Sequence, residues 1–398
     1  MFKKSLAIPC AVAAALGAWG TALADVPMPT VGGKIFADLT DVTQQNKGTD
    51  TSNSGTGVDV KRFYLIVNEK FDDMWSAKLE TDATYNSVTA STCTGSGTTL
   101  KCSTGTTAQQ VDVYMKNAYL QMSLNPAFWA KLGEADLPWI PFVEGIYAHR
   151  YVENTLVDRE KVGTSADWGL HVGGDVADKV LSYQVSVVTG NGYKNPTRSR
   201  DMDVEGRVDV QPLSGLYLAL GGYEGKLGQD KYGSTVTIAG VSTPQTFRTA
   251  SRVDALAAYV GYGLRAGVEY FSTNDWTNGI TGSSDVPEYT SSGAVNPSDK
   301  ADGTSVFASY DFTPMWGVFA RWDQAKLSKD IAPGLTDQYF DVGLESHPIK
   351  NVDVALVYKH EKMDGGPAAD SYSTTNGAAF NEADGKYDEI GIWTQVSF

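Results

Sequence analysis

The chain has 398 residues, a net charge of −15 at neutral pH, and a mean hydropathy of −0.24. This acidic balance argues against a nucleic-acid partner, which would require clustered basic side chains. Beyond the N-terminal region, no stretch is apolar for long enough to form a transmembrane helix.

The N-terminus predicts an export signal at residues 1–24. Lys3-Lys4 precede an apolar stretch from Leu6 to Leu16, and Ala22-Leu23-Ala24 places small residues where a signal peptidase reads them. We therefore expect residues 25–398 to form the mature domain. An uncleaved membrane anchor is the alternative, although the apolar stretch is short for a bilayer span.

Downstream of the signal, alternating segments, tight turns and longer polar loops predict sixteen β-strands. Seven tight turns are predicted at Phe71-Asp72-Asp73, Asn125-Pro126, Asp175 to Asp178, Gln211 to Gly215, Gly261-Tyr262-Gly263, Thr313-Pro314 and Ser346-His347-Pro348. Eight longer loops are predicted near residues 43–56, 88–108, 135–165, 191–202, 227–246, 274–301, 328–336 and 363–385. An even strand number with short turns at one end and long loops at the other is typical of bacterial transmembrane barrels. The sequence thus predicts an all-β, antiparallel up-and-down barrel, and one misread hairpin would change the count by two.

The charged residues of the strands alternate with apolar ones. Lys78, Glu80 and Asp82 share one face of their strand, and a charge against hydrocarbon costs about 2–4 kcal/mol for a basic residue. We therefore expect this face to point into the barrel. The same phasing predicts further inward charges at Arg62, Lys131, Arg207, Arg265, Arg321, Glu205, Asp209, Glu269, Asp311, Asp323, Asp341 and Asp353. Their acidic excess predicts that cations concentrate at the mouth of a channel. A soluble sandwich that exposes the charged face is the alternative.

The third long loop, at about 135–165, is unusually apolar. It contains Trp139, Ile140, Pro141, Phe142, Val143, Ile146 and Tyr147, interspersed with Glu144 and Arg150. A sixteen-stranded barrel leaves a water channel, so we expect this loop to fold into the lumen and narrow it. The alternative is an outward loop that caps the barrel or contacts another subunit.

The two cysteines after the signal, Cys93 and Cys102, flank a Ser/Thr/Gly-rich stretch and predict a disulfide in an oxidising compartment. No metal or cofactor site is predicted. His149 beside Glu144 or Glu153 could hold a metal, but such a histidine is more often hydrated. No histidine has Ser or Asp partners at a recognisable spacing, so enzymatic activity is not expected.

The last strand alternates apolar and small or polar residues up to the terminal Phe398. Ile390, Ile392, Val396 and Phe398 share one face. A bare edge strand invites aggregation, so we expect this strand to close the barrel against the segment near Lys34 to Leu39. The ending is similar to the C-terminal strand of bacterial outer-membrane proteins, whose final aromatic is recognised by the barrel assembly machinery.

The first half of the chain resembles the phosphate-selective porins (O and P type) of Gram-negative outer membranes. The resemblance is carried by Lys61-Arg62-Phe63, Trp75 through Glu80, Asn117 through Leu120, Lys131 through Pro138 with Glu144 and Arg150, Trp168-Gly169-Leu170, and Tyr183 through Gly192. It implies a homotrimer in outer-membrane lipid whose pore is narrowed by the third loop. The expected function is passive diffusion of small hydrophilic solutes and ions. The alternatives are an anion- or phosphate-selective pore, and a barrel that acts as a sheath or surface-binding protein.

Overall fold

A computed structural model describes residues 28–51, 53–94, 101–238, 241–276, 297–365, 372–373, 379–380 and 384–398; side chains at 84–110, 236–238, 372–373 and 379–380 are not described. The predicted export signal at 1–24 lies outside these ranges. Within them, no helix has the length and apolar character needed to cross a membrane.

The described chain forms a single closed barrel in which each strand pairs antiparallel with the next. Its strands are β1 Thr30–Asn46, β2 Gly55–Lys70, β3 Trp75–Thr94, β4 Lys101–Asn125, β5 Phe128–Asp136, β6 Ala166–Val176, β7 Leu181–Val188, β8 Asp203–Leu213, β9 Leu216–Gly225, β10 Ala250–Gly261, β11 Leu264–Asn274, β12 Lys300–Asp311, β13 Trp316–Lys326, β14 Thr336–Ile349, β15 Val352–Asp364 and β16 Asp384–Ser397. Two short helices, α1 Ile140–Tyr147 and α2 Leu156–Arg159, lie between β5 and β6. The predicted sixteen-stranded antiparallel barrel is confirmed.

The last strand closes the barrel as predicted. β16 pairs with β1 in a register that runs from Lys34 opposite Ser397 to Asn46 opposite Gly385. On its outward face Ile390 and Ile392 are 53% and 43% exposed, whereas Trp393 on the opposite face is fully buried. The period of two in the sequence therefore assigned the two faces of this strand correctly.

One predicted turn is misplaced. The chain does not turn at Ser346-His347-Pro348, because β14 continues to Ile349 and the turn lies at Lys350 and Asn351. The ladder between β14 and β15 instead shifts register between Ser346 and Ile349. Proline has no N–H to donate, so it interrupts the pairing without ending the strand.

The β3–β4 hairpin is longer than predicted. Its strands extend through most of the expected loop at 88–108, and Cys93 is the direct cross-strand partner of Cys102. The two sulfur atoms lie outside the described side chains, so the disulfide stays a prediction. In contrast, β2 and β3 pair only from Ile66 opposite Glu80 to Lys70 opposite Ser76.

The barrel wall has an apolar outer face and a charged inner face. Along β13, Val318 and Trp322 are 44% and 43% exposed, whereas Arg321 and Asp323 are buried. The same alternation recurs in β14, where Asp341 is buried and its neighbour Val342 is exposed. Because water would not favour apolar exposed faces around a closed barrel, this pattern suits a wall surrounded by lipid.

Candidate functional site

Residues 137–165 between β5 and β6, called here the third-loop segment, carry the two helices. Pro141 stands in the first turn of α1, where its missing N–H is harmless, and Ala148 ends the helix in the left-handed conformation at φ 68°. Ile140, Val143, Ile146 and Tyr147 form the buried face of α1. This apolar face packs against inner-face residues of β9 to β13 such as Ala219, Leu256, Phe271 and Phe307.

Trp139 fixes the start of the segment. Its backbone N–H donates to Glu205 at 3.0 Å, and its indole Nε1 donates to Glu269 at 2.9 Å. The ring is fully buried against β9, where a Cβ on Gly221 would come within 2.5 Å of it. The absence of a side chain at Gly221 therefore leaves room for the indole ring. Two inner-face carboxylates then fix the position of Trp139 by hydrogen bonds.

Arg159 of α2 fixes the middle of the segment. It donates from Nε to Asp323 at 3.0 Å, and from Nη1 to Asp337 at 2.7 Å and Glu361 at 2.8 Å. Nη2 donates to Glu160, and the Arg159 side chain is only 1% exposed. One cation thus joins the segment to three consecutive strands, β13 to β15.

Glu160 gives this cluster a pH dependence. Burial raises its pKa well above the usual value; Arg159 opposes the shift, while the Asp337 and Glu361 carboxylates add to it. The folded state then keeps a proton that the unfolded state loses above about 4.5. We therefore expect Glu160 to lower stability as pH rises from that value towards the folded-state pKa. In Glu160→Gln this loss should disappear, as measured by the unfolding temperature of the folded barrel from pH 5 to pH 9 relative to wild type.

The turn that follows α1 is held by β15 and β16. Lys359 donates to the Val152 carbonyl at 2.8 Å and pairs with Glu153 at 3.3 Å and Glu389 at 3.2 Å. Burial opposes ionisation of Glu153, but Lys359 and Lys61 outweigh it and lower its pKa to about 2.

His149 does not form the metal site that the sequence left open. Its Nδ1 lies 2.9 Å from the Tyr147 carbonyl and its Nε2 lies 3.1 Å from Glu345. Glu144 instead pairs with Arg150 at 2.5 Å.

Another side of the segment lines two cavities. A cavity of about 450 Å³ lies between the segment and the inner face of β1 to β4, and a cavity of about 330 Å³ lies between the segment, β2, β4 and the loop that follows β7. Both are lined by Tyr64, Lys116 and Arg150, so the two cavities meet at these three side chains. The ammonium of Lys116 lies 4.9 Å from the Tyr64 ring centroid and 3.8 Å from Glu80.

Basic residues dominate the lining of the two cavities. The basic members are Lys34, Arg62, Lys78, Lys116, Arg150, Lys161 and Lys194, and the acidic members are Glu80, Glu144 and Asp158. Asp82 lies behind this surface, fully buried and 2.7 Å from Arg62. The Arg62–Asp82 pair joins β2 to β3 beyond the end of their backbone ladder.

The predicted pore-lining residues other than Asp82 and Lys131 divide into two groups. Arg62, Lys78, Glu80, Glu144 and Arg150 line the cavities. Arg207, Glu269, Arg321 and Asp323 are directed to the third-loop segment instead: Arg207 donates to the Pro138 carbonyl at 3.0 Å, and Arg321 to the Asn154 carbonyl at 2.5 Å. Lys131 lies over the rings of Tyr119 and Trp129, away from both cavities.

Lys116 was missed because the alternation shifts there. Val113 and Met115 are exposed, but five residues after Met115 it is the even-numbered Leu120 that is exposed. The β3–β4 ladder passes from Asn117 opposite Glu80 to Met115 opposite Thr81, which leaves Lys116 as a bulge residue. A strict period of two cannot be carried through such a bulge.

No family model matches this sequence, and no curated protein does either. Solved structures do match. The anion-selective porin from Comamonas acidovorans is 10% identical, with a TM-score of 0.61 over 93% of this chain and 99% of that one. The chain has the porin fold.

Two further porin-fold structures match with similar coverage. The outer membrane channel DcaP of Acinetobacter baumannii is 11% identical, with a TM-score of 0.56 over 93% of this chain and 97% of that one. The trimer form of OmpT, an outer membrane protein of Vibrio cholerae, is 13% identical, with a TM-score of 0.53 over 93% and 99% of the two chains. At these identities the likeness concerns the fold.

Proposed function

We propose that this protein is a Gram-negative outer-membrane porin that passes small hydrophilic solutes by diffusion. The observation that carries the proposal is the pair of cavities that meet at Tyr64, Lys116 and Arg150 inside a closed barrel. The long loops would face outward and the short turns, with both ends of the barrel, the periplasm.

The third-loop segment is the element that narrows the channel in this proposal. The barrel wall from β8 to β16 is engaged with the segment through Trp139, Arg159 and Lys359. Passage would therefore follow β1 to β4, which is the part of the remaining wall whose side chains line the two cavities. A segment so fixed is less compatible with a sheath around a second protein, which needs an open lumen.

The same arrangement favours anions. Several inner-face carboxylates are buried in contacts with the segment and do not line the cavities: Glu205 and Glu269 accept hydrogen bonds from Trp139, and Asp323 pairs with Arg159. The charges left beside the open passage are seven basic and three acidic. A nearby charge acts more strongly on a permeating ion than a distant, screened charge does. The charges that line the cavities therefore affect ion preference more than the net negative charge of the whole protein. We therefore favour an anion-preferring pore over the cation preference expected from charge counting.

A homotrimer in outer-membrane lipid belongs to the proposal. The apolar outer face of the wall supports a lipid environment, and the OmpT match concerns a trimer form. Phe398, exposed at the end of β16, would serve as the signal for the assembly machinery.

Planar-bilayer recording tests the proposal. Purified protein should insert with stepwise conductance, in groups of three for a trimer, and the reversal potential across a KCl gradient should have the sign of anion preference. Absence of conductance in protein shown to be folded by its resistance to unfolding in detergent would refute the channel. A cation-preferring reversal potential would refute only the selectivity.

A further inference from the structure

Three ligand-type side chains converge at the short-turn rim of β12 to β14. Nε2 of His347 lies 3.6 Å from Oε2 of Glu345 and 3.7 Å from Oδ1 of Asp311. The three side chains offer one ligand atom each, all within 4.8 Å of one another. Asp311 ends β12, whereas Glu345 and His347 lie near the end of β14, and β13 pairs with both strands between them. The barrel itself therefore sets their spacing.

These distances are those of a shared cation. A hydrogen bond from an imidazole N–H to a carboxylate would bring the heavy atoms to about 2.7–3.2 Å. Ligands at about 2.0–2.2 Å from one tetrahedral zinc ion are separated from each other by roughly 3.3–3.6 Å. Nε2 lies at the upper end of this separation from Glu345, at 3.6 Å, and just beyond it from Asp311, at 3.7 Å, and both distances are too long for a hydrogen bond.

Neighbouring groups hold the ligands in this orientation. Nδ1 of His347 lies 2.8 Å from Asp353, which also accepts a hydrogen bond from Gln395 at 2.7 Å. Histidines that ligate metals usually donate their other ring N–H to a carboxylate in this way. Oε1 of Glu345 accepts from the hydroxyl of Tyr151 at 2.7 Å. Oε2 lies 3.1 Å from Nε2 of His149 and 3.6 Å from Nε2 of His347, so Glu345 is held between the two imidazoles and keeps a second lone pair for an ion.

We propose that Asp311, Glu345 and His347 bind a divalent first-row transition metal ion such as Zn²⁺. One imidazole with two carboxylates suits zinc, and three protein ligands leave a fourth position for water. Asp311 and His347 are 46% and 30% exposed, so the ion can enter from solvent. Gln395 lines the 450 Å³ cavity and contacts Asp353, which places the ion beside the short-turn mouth of the passage.

Isothermal titration calorimetry of Zn²⁺ into the folded protein in detergent, after treatment with a chelator, tests this site. The measurement is independent of whether the barrel conducts ions. Wild type should bind one Zn²⁺ per chain. His347→Ala and Asp311→Asn should abolish that binding, and Asp353→Asn should weaken it roughly 10- to 100-fold. Glu345 is left intact because it also holds Tyr151 and His149.

His360→Ala is the matched control. His360 also pairs with a carboxylate, Asp388 at 2.8 Å, but no third ligand-type group joins them in the described part of the chain. This variant should bind zinc like wild type. Each variant is first shown to be folded by its unfolding temperature. Absence of stoichiometric zinc binding in wild type, or equal binding in His347→Ala, would mean that His347 and its carboxylates form a metal-free ion-pair cluster.

Discussion

Replacing Arg159 by methionine should open the channel and destabilise the fold. The substitution keeps much of the side-chain volume but removes the cation that Asp323, Asp337 and Glu361 share inside the barrel. Loss of one partner from a buried ion-pair cluster costs about 3–5 kcal/mol, because the remaining charges stay buried without compensation. The mutual repulsion of the carboxylates should drive α2 away from β13 to β15. We expect a larger single-channel conductance and a lower unfolding temperature.

Two companion variants define what this result means. Arg198→Met removes an exposed guanidinium in the loop after β7, so it is matched in charge and should change neither quantity. Deletion of Trp139 to Tyr147 removes α1 itself and should also raise conductance. If Arg159→Met lowered the unfolding temperature but left conductance unchanged, the segment would stabilise the wall without narrowing the passage.

The strand pattern was predictable because each wall strand separates two different environments. A period of two with apolar residues on one face and charges on the other is readable in one strand alone, as in Trp316 to Asp323. Closure of the barrel was predictable from the end of the chain, because an unpaired strand from Ile390 to Phe398 would be prone to aggregate through its exposed edge. The failures occurred where the ladder is irregular: at Pro348, which has no N–H, and at the Lys116 bulge.

The contacts that hold the third-loop segment against the barrel wall were not predictable from the sequence. Arg159 contacts carboxylates that lie 164 to 202 residues away in the sequence. The residues around each of these positions give no sign that the side chains will meet. Because these long-range contacts could not be predicted, the sequence did not distinguish the inward charges that contact the segment from those that line the cavities. The same limitation hid the candidate metal site, because Asp311 joins Glu345 and His347 only through strand pairing.

Lys116 should set the ion preference of the pore. It lines both cavities where they meet, and its nearest acidic neighbour, Glu80, is 3.8 Å away and also faces the passage. A unit charge about 4 Å from a permeating ion contributes about 1 kcal/mol in water and more where the walls exclude water. Lys116→Gln should therefore reduce the anion-to-cation permeability ratio by roughly fivefold, and Lys116→Glu should reduce it further.

The measurement is the reversal potential of single channels in a KCl gradient, compared at low and high salt. Lys179→Glu is the control for Lys116→Glu, because it makes the same charge change on an exposed residue of the β6–β7 turn. It should leave the permeability ratio nearly unchanged. The effect of Lys116 should persist at high salt, since a charge at close range is weakly screened, whereas an effect of the total charge would vanish. Equal shifts in the Lys116 and Lys179 variants would assign selectivity to the overall field of the protein and not to the meeting point of the two cavities.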